Sequence, residues 1–257
     1  TRYDNTEPYS NAPAYRREYT AARVRAQYQA KTQGVAETIT APAGSGTISV
    51  DLYSAQDKAV SGHGTVRVGV FAFKDNNGDG KRDPREYIIY TPKGFEGKKL
   101  PVLFVWPGNS QTDSIFLDST QWWQVADKNG FMAVIVCETY SDTSTNVHPR
   151  GRAIAVTHED SELYYYSMLA LLKQKVDGSV ANLDFSRVYC TGQSLGSMTT
   201  QKFAITHPEF FAAAASTSGT AAVLMTSADV SADKAIPNYL ETGQSDLNTG
   251  LTSLIPD

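Results

Sequence analysis

Two unbroken apolar runs, Leu100–Trp106 and Phe131–Cys137, flank a helix-prone stretch, Ser119–Asn129, that stops at Gly130. A strand that is apolar throughout needs cover on both faces, whereas a half-exposed strand alternates polar and apolar residues. Buried strands that alternate with helices imply an α/β fold with a mostly parallel central sheet flanked by helices. The alternation begins at Tyr87–Tyr90 and continues into a helix over Glu159–Gln174, whose apolar positions are Leu163, Tyr166, Leu169, Ala170 and Leu172. A strand at Arg187–Thr191, a helix from Leu195 to Thr206 and strands at Phe211–Ser216 and Asn238–Thr242 complete it. No domain break follows residue 87.

Both runs are too short to span a bilayer. Lys and Arg number 23 against 27 Asp and Glu, a net charge of −4, so no basic surplus exists to hold nucleic acid or an anionic membrane. Two cysteines cannot build a disulfide framework, no Cys/His cluster has zinc spacing, and no organic cofactor is expected. The chain starts at Thr1 rather than Met, which implies a removed leader, either a signal peptide or an artificial one. The first residues are rich in Tyr, Asn, Thr and Ser and lean towards a secreted, extracellular protein.

Upstream of the α/β pattern lie a polar arm and a helix-prone segment, residues 14–31, with Tyr15, Tyr19, Val24 and Tyr28 spaced to dock on the domain. Residues 34–86 are β-rich, with strands at Thr47–Leu52 and Thr65–Phe73. The expected organisation is an arm and helix over 1–33 and one α/β domain over 34–257 that lacks its C-terminal part.

The strand Arg187–Thr191 runs into Gly192-Gln193-Ser194-Leu195-Gly196 and then a helix. This is G-x-S-x-G in the strand–turn–helix setting of a nucleophile elbow. A sharp turn lifts the Ser194 hydroxyl above the sheet. The flanking positions come so close to each other and to neighbouring strands that glycine is required. The N–H of Leu195, at the helix start, is placed to stabilise an oxyanion. A second oxyanion donor is expected from the loop after Leu100–Trp106, where Gly108 allows close approach and Asn109 offers its N–H. Gln193 and Trp106 are the candidate substrate contacts, although Trp106 and Pro107 could equally serve to stiffen the loop.

In this arrangement the acid follows the nucleophile and the histidine comes last. Asp246, just beyond the strand at Asn238–Thr242, is the expected acid, ahead of Asp229 and Asp233. Histidines occur at 63, 148, 158 and 207, all before Asp246, and each reads as structural. The histidine is therefore expected from a C-terminal chain or segment of the same precursor. Nicking into two chains, truncation and a further tail all fit; nicking fits best, because a domain lacking its sheet edge and base would be poorly stable.

Tyr87-Ile-Ile-Tyr-Thr-Pro-Lys-Gly, Leu100-Pro-Val-Leu-Phe-Val-Trp-Pro-Gly and the stretch from Trp122 to Gly130 resemble the polyhydroxybutyrate depolymerase-like esterases, a group that includes feruloyl and acetylxylan esterases. Asp184-Phe-Ser-Arg-Val-Tyr-Cys-Thr-Gly-Gln-Ser-Leu-Gly-Ser-Met and His207-Pro-Glu-Phe-Phe-Ala-Ala-Ala-Ala carry the same resemblance, which spans roughly residues 85–246. It implies an α/β-hydrolase fold and a secreted serine esterase with a Ser/Asp/His triad, carried here by Ser194 and Asp246. Two positions depart from the pattern: Pro107 stands where the family usually has His, and Ser197 where it often has Gly. The resemblance leaves the ester open. A peptidase or amidase with the same machinery, and a catalytically dead calcium-dependent binding module, are the other readings.

A second motif precedes this stretch. Asp75-Asn-Asn-Gly-Asp-Gly-Lys-Arg-Asp-Pro-Arg-Glu86 matches D-x-[DN]-x-[DN]-G-x5-E. Asp75, Asn77, Asp79, Asp83, Glu86 and the carbonyl of Lys81 make a hard-oxygen set suited to a structural Ca²⁺, between strands rather than helices. Arg82 stands where an apolar residue is usual. Cys137 and Cys190 end strands with Leu100–Trp106 between them, too far apart for a disulfide. They are expected as free thiols, with a bridge to the absent segment as the other possibility.

Overall fold

β-branched and aromatic residues recur along the strand segments, and in this computed structural model those segments pair into one mixed sheet. The structure describes residues 25–26, 28–30, 32–75, 78–108, 120–139, 158–219 and 236–242; of 137–139 and 158–160 it describes the backbone. The strands are β1 (Glu37–Ala43), β2 (Gly46–Leu52), β3 (Gln56–Ala59), β4 (Thr65–Ala72), β5 (Pro84–Thr91), β6 (Lys99–Trp106), β7 (Met132–Thr139), β8 (Asn182–Gln193), β9 (Ala213–Thr217) and β10 (Asn238–Glu241). The helices are α1 (Trp122–Asn129), α2 (His158–Leu171), which continues as a π-helical turn over Leu172–Val176, and α3 (Leu195–Thr206).

The strand order is β1-β2-β4-β5-β7-β6-β8-β9-β10, with β3 paired to β4. β1 to β5 pair antiparallel, β5 is antiparallel to β7, and from β7 through β6, β8 and β9 to β10 every pairing is parallel. From β4 onward this is the α/β-hydrolase order. The β-rich segment adds its strands to the edge of the same sheet. Of the N-terminal helix expected over 14–31, residues 25–26 and 28–30 are described and are helical, and the helix extends past the expected end to 32–33.

The period of two in the central strands divides the core. Val102, Phe104 and Trp106 of β6, with Met132, Val134 and Val136 of β7, face Tyr164, Tyr165, Met168 and Phe203 of α2 and α3. Val105, Ala133, Ile135, Ile88 and Tyr90 face the other way, against Trp123 and Ala126 of α1. α2 buries Tyr164, Tyr165, Met168 and Leu171, while the expected Leu163, Tyr166 and Leu169 are half-buried. The helix is apolar on most sides, so its period alone cannot select the face; the aromatic cluster of Phe104, Tyr165 and Phe211 does.

β6 and β8 end level with each other, Trp106 opposite Gly192, and β9 ends beside them, Thr217 opposite Gln193. In an open α/β sheet the C-terminal ends of parallel strands are where ligands bind. The turn after β8 lies there.

Candidate active site

β8 ends at Gln193 and α3 begins at Leu195, so the whole change of direction falls on Ser194, at φ 55° and ψ −115°. A serine held there costs on the order of 1–3 kcal/mol. Its backbone is fixed on both sides: its N–H donates to the Thr217 carbonyl at 3.0 Å, and its carbonyl accepts the Met198 N–H at 3.1 Å. The two glycines of the motif are sterically required. A Cβ on Gly192 would fall 2.2 Å from the Gly196 carbonyl oxygen, and one on Gly196 would fall 1.9 Å from the Trp106 carbonyl oxygen. Leu195 is the first residue of α3, so its N–H has no acceptor within the helix. The turn can present a hydroxyl and a backbone donor side by side.

Gln193 is half-buried beside the serine, and its buried Oε1 has no hydrogen-bond partner among the described residues. Trp106 requires a correction. Its side chain is fully buried, with ring centroids 5.4 Å from Phe203 and 6.1 Å from Tyr164, so it contacts the core and not a substrate. Its place in the β6 alternation points it at α2 and α3; its contribution to the turn is the carbonyl pressed against Gly196. Asn109, Asp246, Asp229, Asp233 and His148 lie outside the described residues, as does the side chain of His158.

The two histidines described in full sit elsewhere. His207 caps the far end of α3, about 18 Å along a helix of this length from Leu195. Its Nε2 is 2.9 Å from Glu162 Oε1, its Nδ1 is 3.1 Å from Glu209 Oε1, and it stacks on Phe210 at 4.4 Å. Burial, the largest single influence, lowers its pKa, but the hydrogen bonds and charges of Glu162 and Glu209 outweigh it and leave the pKa raised. His63 lies in the β3–β4 turn, 3.0 Å from Asp127 Oδ2, and Asp127 also accepts the Tyr90 hydroxyl at 2.7 Å. It lines a cavity of about 750 Å³, with Lys93, Phe95 and Lys98, near the starts of β6 and β8 and so at the opposite end of the sheet from Ser194. Cys190 is a buried free thiol, its pKa pushed up by burial. Its strand and that of Cys137 are separated by β6.

The acidic loop closes the β4–β5 hairpin. Asp75 accepts the N–H groups of Gly78 and Gly80 at 2.7 and 2.8 Å, and Asp79 accepts that of Lys81 at 2.8 Å. Arg82 leaves the loop to pair with Asp51 of β2 at 2.7 Å, which accounts for a cation at that position. Glu86 lies within β5 and is buried. Among the described residues no three His, Cys, Asp or Glu side chains gather to hold a metal. Asn77 is outside them, so the described residues alone do not form the cage that the spacing predicts.

Sequence reading missed the polar residues behind the turn. Thr217 Oγ1 donates to the Gly192 carbonyl at 3.1 Å, and Gln201 of α3 reaches the Gly219 carbonyl at 2.5 Å. The i, i+4 spacing of Ser197 and Gln201 was visible in the sequence, but their partner, Gly219, lies in the loop after β9, which only the fold brings near.

A family model described as "Putative esterase" matches residues 82–246. The chain belongs to this esterase family. The match covers the stretch whose motifs resemble esterases, from the end of the acidic loop to Asp246. Among curated proteins, this esterase-family chain is 31% identical over 137 residues to "Probable acetylxylan esterase A" of Neosartorya fischeri, covering 52% of this chain and 34% of that protein. It is 32% identical over 134 residues to the protein of the same name from Aspergillus fumigatus, covering 51% and 33%. The chain thus spans about a third of the length of the curated relatives it matches. Solved structures similar to it include a ferulic acid esterase (18% identity, TM-score 0.44, 60% of each chain). An S-formylglutathione hydrolase from Agrobacterium tumefaciens is also similar (17%, TM-score 0.45, 63% and 60%).

Proposed function

We propose that the chain is the nucleophile-bearing part of a secreted serine hydrolase that cleaves carboxylic esters, with acetyl or feruloyl groups on a polysaccharide as the substrate class. The observation that carries this is Ser194 alone on the turn between β8 and α3, with the N–H of Leu195, which the helix itself leaves without an acceptor, beside it. In this reading Ser194 Oγ attacks the ester carbonyl while a histidine takes its proton. Asp246 orients that histidine and stabilises its charge. The N–H groups of Leu195 and Asn109 hold the oxyanion. The histidine returns its proton to the leaving alcohol, and water then releases the acid from the acyl-enzyme.

The histidine is proposed to come from a further segment of the same precursor. Both fully described histidines are engaged far from Ser194, and β10 presents Tyr239 and Leu240 at 63% and 48% exposure on the last described strand. The acidic loop is proposed as a structural Ca²⁺ site on the strength of its spacing.

Hydrolysis of p-nitrophenyl acetate by the whole protein, with Ser194→Ala as control, tests the reading. Turnover abolished by the substitution is expected, together with a fluorophosphonate adduct on Ser194. An activity that survives Ser194→Ala sinks the serine mechanism. A faster reaction on peptide amides than on acetyl or feruloyl esters would reassign the substrate class.

A further inference from the structure

The loop that leaves β9 is held on three sides, and its contacts join the Ser194 turn to β10. Thr217 accepts the Ser194 N–H at 3.0 Å. One residue on, the Ser218 N–H donates to the Glu241 carbonyl of β10 at 2.8 Å. The carbonyl of the following residue, Gly219, accepts Gln201 Nε2 at 2.5 Å and Ser197 Oγ at 3.2 Å. Gln201 Nε2 also lies 3.2 Å from Ser197 Oγ, one helical turn away on α3. Gln201 is 7% exposed and Ser197 fully buried.

Two features show what this cluster restrains. Ser218, a residue with a side chain, sits at φ 52°, as Ser194 sits at φ 55°. Such conformations persist only where the surroundings over-determine them. Gly219 is packed so closely that a Cβ would fall 2.3 Å from the Ser194 carbonyl oxygen and 2.9 Å from Ser197 Cβ. An apolar side chain at 201 could fill the same volume without the cost of burying an amide. Among its contacts, the amide adds a donor fixed on the Gly219 carbonyl.

We infer that Gln201, with Ser197, is a positioning residue for ester hydrolysis. It pins the β9 exit loop so that the Ser194 turn and the end of β10, which leads to Asp246, stay in register. The inference rests on the proposal that Ser194 is the nucleophile. Gln201 acts through the loop: released from it, Ser218 can relax, and the Thr217 carbonyl then moves off the Ser194 N–H. Displacements of about 1 Å at a reacting group can cost on the order of 10²-fold in rate.

The test is steady-state hydrolysis of p-nitrophenyl acetate by the whole protein carrying Gln201→Met, which keeps the volume and removes the donor, at a temperature where circular dichroism shows it folded. The expected result is a fall in kcat of roughly 10- to 100-fold, with KM unchanged and fluorophosphonate capture slowed in step. Should Gln201→Met fail to fold, Ser197→Gly decides on the same criterion with a smaller expected loss. A kcat that stays at the wild-type value in a folded variant overturns the positioning role, even if Tm has dropped. Rates that survive Ser194→Ala would instead overturn the serine reading on which it rests.

Discussion

At the residue scale, the turn at Ser194 depends on two absent side chains. Gly196 is the stricter position, because the clash awaiting a Cβ is with the backbone carbonyl of Trp106 in the central strand β6. Gly196→Ala is expected to cost about 1–3 kcal/mol, as overpacking does, a fall of several degrees in Tm for a domain of this size. Thermal melts that match the wild type would show that the strand and helix are not in close contact. His207 gives a prediction with a definite sign. Its pKa is raised in the folded protein, so its contribution is fully present below the unfolded value, near 6.5, and fades as pH rises through the folded value. His207→Gln should therefore lower Tm most at acidic pH, with the gap narrowing as pH rises. A gap that widens with pH would contradict the assigned pairing with Glu162 and Glu209.

At the scale of elements, the β4–β5 hairpin joins the acidic loop to the central sheet, and Glu86 is reached only along β5. A Ca²⁺ in that loop would tie the turn to the core strand, while Arg82 and Asp51 tie it to β2. Calcium added to chelator-treated protein is expected to raise Tm. An ion present at about 100 times its Kd adds about 2.7 kcal/mol, and Asp75→Ala should remove the increment. Melts unchanged by calcium would leave the loop as a hydrogen-bonded turn. The spacing of these oxygens was legible in the sequence. Their convergence was not, because the Asp75 carboxylate satisfies backbone amides within its own loop.

At the scale of the whole molecule, the described sheet ends at β10. Parallel strands from β7 to β10 place Ser194 at their C-terminal ends, and β10 leaves large apolar side chains in solvent. Denaturing mass spectrometry after fluorophosphonate treatment is expected to find the label on a chain accompanied by, or continuous with, a histidine-bearing segment. On the proposal that the base comes from that segment, the 257 residues expressed alone should label slower by roughly 10³-fold or more, since a triad without its base retains only what the oxyanion hole supplies. Equal labelling of the isolated 257 residues would mean that the base lies within them.

The strand–helix alternation, the turn at Ser194 and its two glycines were readable from residues alone, because each is enforced by local geometry or by a period within one element. The face that α2 buries, the core position of Trp106, the separation of His63 from Ser194 and the Gln201–Gly219 contact were decided by tertiary structure. Each depends on which distant element is brought alongside, and sequence spacing carries no record of a partner 18 or more positions away. Ser194 owes its place to its neighbours in the chain; what holds it there comes from β9, whose closeness only the assembled sheet creates.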